Sequence, residues 1–249
     1  MRDLEVFKAF EKSQQPCFKH TTYFEIYEHL FLAYRNQPIT FVEVGILDGG
    51  SLFMWREYFG PQARIIGIDL NPEAKKWEQH GFEIFIGSQS DPEFWDEFLR
   101  HVEPIDILLD DGGHTYKQQI VTVECLINSI SDGGLLIVED CHTSYMSGFG
   151  DQAMSFMKYA KTWIDKINSR FGRFDAARQQ KDRRVWSIEF YESIVAFRVN
   201  RNGSMAPSQP IRNRKPVSPA KDYRHEDGDD LGQESERVSK LLSSAFSIY

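Results

Sequence analysis

The sequence predicts a doubly wound α/β domain: a mostly parallel, seven-stranded sheet with helices on both faces, ending in an antiparallel hairpin. Three observations predict it. Short β-branched runs alternate with amphipathic helical patterns through most of the chain, which is the pattern of a parallel sheet covered on both faces. A glycine-rich turn follows the first of these runs, and only a short link separates the last two.

Taken in order, Thr21 and Thr22 are placed to cap an amphipathic helix carrying Phe24, Ile26, Tyr27, Leu30 and Leu32. It closes an N-terminal helical segment, residues 1–38, expected as a lid or dimer contact. Strands are expected at 40–45, 64–69, 82–86, 105–110 and 135–139. A helix over 51–59 follows the glycine turn. Another over 91–102 starts at Asp-Pro and repeats Phe94, Trp95, Phe98, Leu99 and Val102 on one face. Ile120, Val123, Ile127 and Ile130 share a further helical face, and 154–170 is helical. Strands at 185–190 and 193–198, linked by Tyr191 and Glu192, complete a domain over 39–199. Residues 200–249 are rich in Pro, Ser, Gly and charge and read as a flexible tail. Val238, Leu241, Leu242, Ala245 and Phe246 have the spacing of a short terminal helix.

Of 249 residues, 41% are hydrophobic and 14% aromatic, enough for one sizeable core. The net charge of −8 argues against nucleic acid or an anionic membrane surface as partner and favours a small-molecule substrate. Cys17, Cys125 and Cys141 are odd in number and lack metal-ligand spacing, which points to a reducing, cytoplasmic compartment. The opening residues mix charge into apolar positions, unlike a signal peptide, and no run is long enough to span a bilayer.

Chemistry gathers at the predicted strand ends. The first strand runs into Glu43, Gly45, Gly49 and Ser51, where glycines allow a sharp turn and free N–H groups would face an anionic ligand group. Asp69 ends the second strand about 20 residues on, the position from which a carboxylate accepts hydrogen bonds from ribose hydroxyls. The loop lacks the GxGxxG usual for nicotinamide cofactors. Ser88 and Gln89, after the third strand, suit an adenine edge, although Ser90 or Asp91 there also reads as a helix cap. Asp110 and Asp111 end the fourth strand, and Glu139 and Asp140 end the fifth. If those strands adjoin, Asp111, Glu139 and Asp140 converge, and carboxylates so close require a cation. All-oxygen ligation favours Mg²⁺, with Mn²⁺ or Ca²⁺ behind it; the alternative is that Asp110 or Asp140 caps a helix or pairs with a lysine. His114 follows on a two-glycine loop beside the acid cluster and is the candidate base. His142 is placed to orient a substrate, and Tyr116 and Tyr145 either line the pocket or pack.

The segments VEVGILDGGSLFMW, GIDLNP, GSQSD, DDGGH, GGLLIVEDCHTSYMSGFG and IEFYESIVAF together resemble the class I methyltransferases, and within them the metal-dependent sugar O-methyltransferases of macrolide biosynthesis. The resemblance covers residues 41–198. It implies S-adenosylmethionine as cofactor, Asp111, Glu139 and Asp140 as metal ligands, His114 as general base, and a sugar or other polyol hydroxyl as acceptor. Similarity to the catechol O-methyltransferases is more distant. It implies that Glu43, Gly45 and Ser51, with Gly49 and Asp110 nearby, surround the methionine part, that Asp69 meets the ribose and that Ser88 and Gln89 lie near adenine, with a catechol-like phenol as second substrate class. GSQSD and DDGGH depart from the commoner GDQSD and DxGSH. An NAD-dependent oxidoreductase and a non-catalytic binding module are the rival readings, and a homo-oligomer is possible.

Overall fold

The computed structural model describes residues 1–170, 184–206, 208–214 and 236–241. Met1–Ser208 form one compact unit. Its sheet has seven strands in the order β3-β2-β1-β4-β5-β7-β6, formed by β1 (Thr40–Val44), β2 (Arg64–Asp69), β3 (Glu83–Ile86), β4 (Ile105–Asp110), β5 (Ile130–Val138), β6 (Val185–Tyr191) and β7 (Ile194–Val199). Strands β1 to β5 pair in parallel, and β7 is antiparallel to both β5 and β6.

Alternation along each strand divides the core into two layers. Phe41, Ile65, Ile107, Leu109, Leu135 and Ile137 face one way, and Val42, Val44, Ile66, Ile68, Leu108 and Leu136 the other. The second layer is covered by α4 (Pro92–Val102), α5 (Tyr116–Leu126) and α6 (Phe156–Asn168) through Trp95, Phe98, Val123, Phe156 and Trp163. The first is covered by α3 (Gly50–Phe59) and by two N-terminal helices, α1 (Glu5–Glu11) and α2 (Tyr23–Phe31). Val6, Phe24, Tyr27 and Phe31 lie within the same cluster as Phe41 and Trp55. The two N-terminal helices thus form a wall of the core.

Differences from the sequence reading are local. Thr22 makes no capping hydrogen bond with its side chain, and Tyr23 N–H is satisfied by the His20 carbonyl at 3.1 Å instead. Ile130, expected on a helix face, starts β5, because α5 ends at Leu126 and the chain crosses at once to pair with Ile105. Helix α1 falls inside the helical segment expected over residues 1–38 and buries Val6 and Ala9. Asp91 does cap α4, accepting from Glu93 N–H, and Thr115 forms a reciprocal capping box with Gln118 at the start of α5. A short helix α7 (Arg201–Met205) follows β7. Of the expected terminal helix, residues 236–241 are helical; Leu242, Ala245 and Phe246 lie outside the described residues. No described helix is long and apolar enough to cross a membrane.

Candidate active site

Strand order reverses between β1 and β4, the point at which doubly wound sheets leave a crevice at the carboxyl ends of their strands. Two cavities open there, sharing Phe18 and Asp111 in their walls.

The first, of about 360 Å³, is lined by Gly45, Leu47, Asp69, Gln89, Gly113 and His114 among others. Gly45 has φ +82°, and a Cβ there would lie 2.2 Å from the Asp111 carbonyl oxygen, so only glycine lets β1 and β4 approach so closely. Two of the loop amides expected to face a ligand do not: Asp69 Oδ2 accepts from Ile46 and Leu47 N–H at 3.1 Å each. The left-handed turn at Gly45 and at Leu47 (φ 43°) rolls them back toward β2. Asp69 Oδ1 accepts from Asn71 N–H at 2.9 Å. A carboxylate offers about four lone-pair sites, so Asp69 keeps capacity for a hydroxyl donor at the cavity wall.

Several residues expected around the cofactor lie behind that wall. Glu43 is fully buried, accepting from Ser51 Oγ at 2.6 Å and Trp55 Nε1 at 3.0 Å. Burial pushes its carboxyl pKa up, against the opposing pull of Lys19 and Ser51. Gly49 packs on the Trp77 ring at the start of α3. Ser88 pairs with Ser90 at 3.0 Å. Gln89 both lines the cavity and braces its floor, donating to Asp110 Oδ1 at 2.8 Å and Thr122 Oγ1 at 3.1 Å while accepting from Gly113 N–H at 3.0 Å. Asp110 is buried in that network, and its Oδ2 has no hydrogen-bond partner.

The second cavity, of about 380 Å³, has Asp111, Glu139 and Asp140 on one side and Phe18, Lys19, His20 and Tyr23 on the other. The acids meet because β4 and β5 pair with Asp110 opposite Val138, so the residues that follow emerge side by side. His114 and Asp140 both adopt left-handed backbone, φ 58° and 53°, a strained conformation that Asp and His tolerate better than most residues. It turns their side chains together: His114 Nε2 lies 3.2 Å from Asp140 Oδ2, and His114 Nδ1 is buried without a partner. His142 Nδ1 is 2.5 Å from Ser193 Oγ and 3.8 Å from Asp140 Oδ1. Tyr116 lines neither cavity; its buried hydroxyl donates to the Thr143 and Met146 carbonyls and pins the loop after β5. Tyr145 is 62% exposed and also lies outside both.

Lys19 is the site residue that the sequence did not disclose. Its ammonium is 2.5 Å from Asp111 Oδ2, 3.2 Å from Glu139 Oε2 and 3.7 Å from Glu43 Oε1, with the side chain 2% exposed. Burial pulls its pKa down, but the charges of Asp111, Glu139 and Glu43 outweigh this and hold it well above the ordinary lysine value. Glu139 is pushed above the usual carboxylate range by burial, against the pull of Lys19, and also accepts a short hydrogen bond from Tyr27 Oη. Tyr23 Oη donates to Asp140 Oδ1 at 2.5 Å. The signal for Lys19 was indirect: converging acids need a cation, and no strand-end loop of the acid cluster supplies one.

For a divalent cation the donor chemistry fits. Ligand atoms of Asp111, His114 and Asp140 lie within 4.8 Å of one another. Glu139, expected in that set, is turned instead toward Lys19 and Tyr27.

A reversing parallel sheet with a glycine-turned first loop, an acid ending the second strand and a terminal antiparallel hairpin is the fold of the class I methyltransferases, and residues 42–141 match the family model described as a methyltransferase domain. Within that class, the chain is 30% identical to the 8-demethyl-8-alpha-L-rhamnosyl tetracenomycin-C 2'-O-methyltransferase of Streptomyces olivaceus, over 70% of this chain and 49% of that protein. It is equally similar, at 30%, to the mycinamicin VI 2''-O-methyltransferase of Micromonospora griseorubida, over 71% of this chain and 47% of the relative. Among solved structures, the MycE methyltransferase from the mycinamycin biosynthetic pathway, in complex with Mg and SAH, matches with a TM-score of 0.72 and 28% identity, over 80% of this chain and 55% of that one. The chain thus spans about half the length of the curated relatives it matches.

Proposed function

We propose that this chain transfers the methyl group of S-adenosylmethionine to a hydroxyl of a sugar, or of a similar polyol, on a small natural product, with Mg²⁺ or Mn²⁺ assisting. One observation carries the reading: a nucleoside-sized cavity ending in Asp69 and an acid-lined cavity meet at Asp111. Donor and acceptor held on either side of that residue would face each other without intervening bulk solvent. The similarity to sugar O-methyltransferases and to a structure holding Mg and SAH supports the choice of acceptor, cofactor and metal.

In this reading Asp69 receives the ribose hydroxyls, the Gly45 turn gives the donor room against the backbone, and Gln89 fixes the floor beneath it. Asp111 and Asp140 hold the cation, with Glu139 as the third expected ligand; the cation supplies positive charge that makes a nearby hydroxyl a better nucleophile. His114 is the proton acceptor, oriented through its contact with Asp140. His142, tied to Ser193, stands at the outer edge of the same loop, where it would contact the acceptor.

A labelled-methyl assay against a panel of glycosides, polyols and catechols, with and without EDTA, tests the proposal. Methylation of a sugar hydroxyl that stops with EDTA and returns with Mg²⁺ is the expected result. Transfer unaffected by EDTA would remove the metal, and transfer confined to phenols would replace the sugar.

A further inference from the structure

We infer that Lys19 is a resident counter-ion that a divalent cation must displace, so that metal entry is coupled to release of the segment carrying it, residues 14–20. The inference rests on the metal-assisted reading above and concerns how this chain's own residues prepare for the ion.

Two of the three acids expected as ligands, Asp111 and Glu139, are held together by the Lys19 ammonium, at 2.5 and 3.2 Å. That is the place a cation shared by the two carboxylates would take, and two cations cannot occupy it. Both Glu139 oxygens are already engaged, Oε2 by Lys19 and Oε1 by Tyr27, which turns the carboxylate away from Asp140. It joins Asp111 and Asp140 only if the ammonium withdraws. Asp140 is already independent of Lys19: it is contacted by Tyr23, His20, His114 and His142 instead. An incoming ion therefore meets Asp140 first and contests Lys19 for the rest.

The segment bearing Lys19 can shift without breaking a helix or a strand. It lies between α1 and α2 and has no helix or strand of its own. Its neighbour Phe18 is 77% exposed while lining both cavities. Apart from Lys19, its ties include the Pro16 and Cys17 backbone packed on Gly50, the Cys17 side chain against the core, and His20 at 3.9 Å from Asp140 Oδ1, none of them a hydrogen bond of a helix or strand. With no metal, Lys19 spares the site the repulsion of buried carboxylates. With metal, its departure exposes the side of the acid cavity that an acceptor would enter.

The experiment uses the full chain and Mn²⁺ as the probe. Free Mn²⁺ is counted by electron paramagnetic resonance against wild type, Lys19→Gln and Asp140→Asn, and amide exchange of residues 14–20 is followed by mass spectrometry in wild type with and without Mn²⁺. Expected are at least tenfold tighter Mn²⁺ binding by K19Q than by wild type, and faster exchange of 14–20 in wild type when Mn²⁺ is added. Equal or weaker binding by K19Q, or slower exchange of 14–20 with Mn²⁺, overturns the inference while leaving the metal reading standing. Absence of Mn²⁺ binding that is sensitive to D140N in the wild type removes the metal reading and this inference with it. Should K19Q fail to fold, the wild-type exchange result decides alone.

Discussion

The two cavities meet at one residue yet are made differently. The first is almost wholly local: Gly45, Asp69, Gln89 and the Gly112–Gly113 turn sit at the ends of consecutive strands, each within a short motif. The second takes one wall from the ends of β4 and β5 and the other from residues 10–23, with Lys19 lying 92 positions from Asp111 along the chain. Backbone geometry and glycine shape the first, whereas opposed charges tie together the two walls of the second. The difference teaches that a cofactor-type site can be carried by motifs while the chemistry beside it depends on tertiary pairing.

That contrast is open to direct attack. The largest effect is expected from Asp140→Asn, which lines only the acid cavity: kcat/KM should fall about 10³-fold, the several kcal/mol that charge stabilisation by a held cation supplies, while S-adenosylhomocysteine affinity measured by calorimetry stays within a few-fold. Comparable loss of both would merge the two cavities into one functional unit. Gly45→Ala works on the other side. A Cβ clashing with the Asp111 carbonyl at positive φ should cost about 3 kcal/mol in urea unfolding and weaken S-adenosylhomocysteine binding.

Smaller effects sharpen the boundary. Trp55→Phe removes a hydrogen bond to the buried Glu43 carboxylate and should lower stability by about 2 kcal/mol, with little change in KM, because Glu43 lies behind the wall. Thr115→Ala, which breaks the capping box beneath the His114 loop, should cost about 1 kcal/mol. Least of all, Glu83 at the sheet edge is held below the usual carboxylate range by its hydrogen bonds from Arg64. Its contribution is present above the unfolded value of about 4.3 and is lost as pH falls through the depressed folded value. Glu83→Gln should therefore cost less than about 1 kcal/mol at pH 7 and nothing near pH 2, because the pair is half exposed.

Legibility followed the same division. The β-branched runs located each strand, and strict alternation with helices yielded the parallel order, because those signals are periodic and local. Asp111, Glu139 and Asp140 were brought together by β4 and β5 as their spacing implied. Hidden were the features set by distant partners: a lone lysine in an irregular link has no period, and nothing near Tyr23 or Tyr27 announces Asp140 or Glu139 as its acceptor. The amides of Ile46 and Leu47 were misread for a related reason. A glycine turn tells that the backbone bends, but not toward which neighbour, and here Asp69 claimed them.

The Ser193 turn between β6 and β7 accepts from Cys141 N–H through its carbonyl, and its hydroxyl meets Tyr23 and His142. Tyr23 is 170 residues from Ser193, so the acid side is clamped by a pairing between an early and a late part of the chain. During synthesis the first five strands can dock as they emerge, but this clamp waits for the hairpin. A nascent chain halted before Val185 would carry the nucleoside-side motifs with the acid side still unclamped.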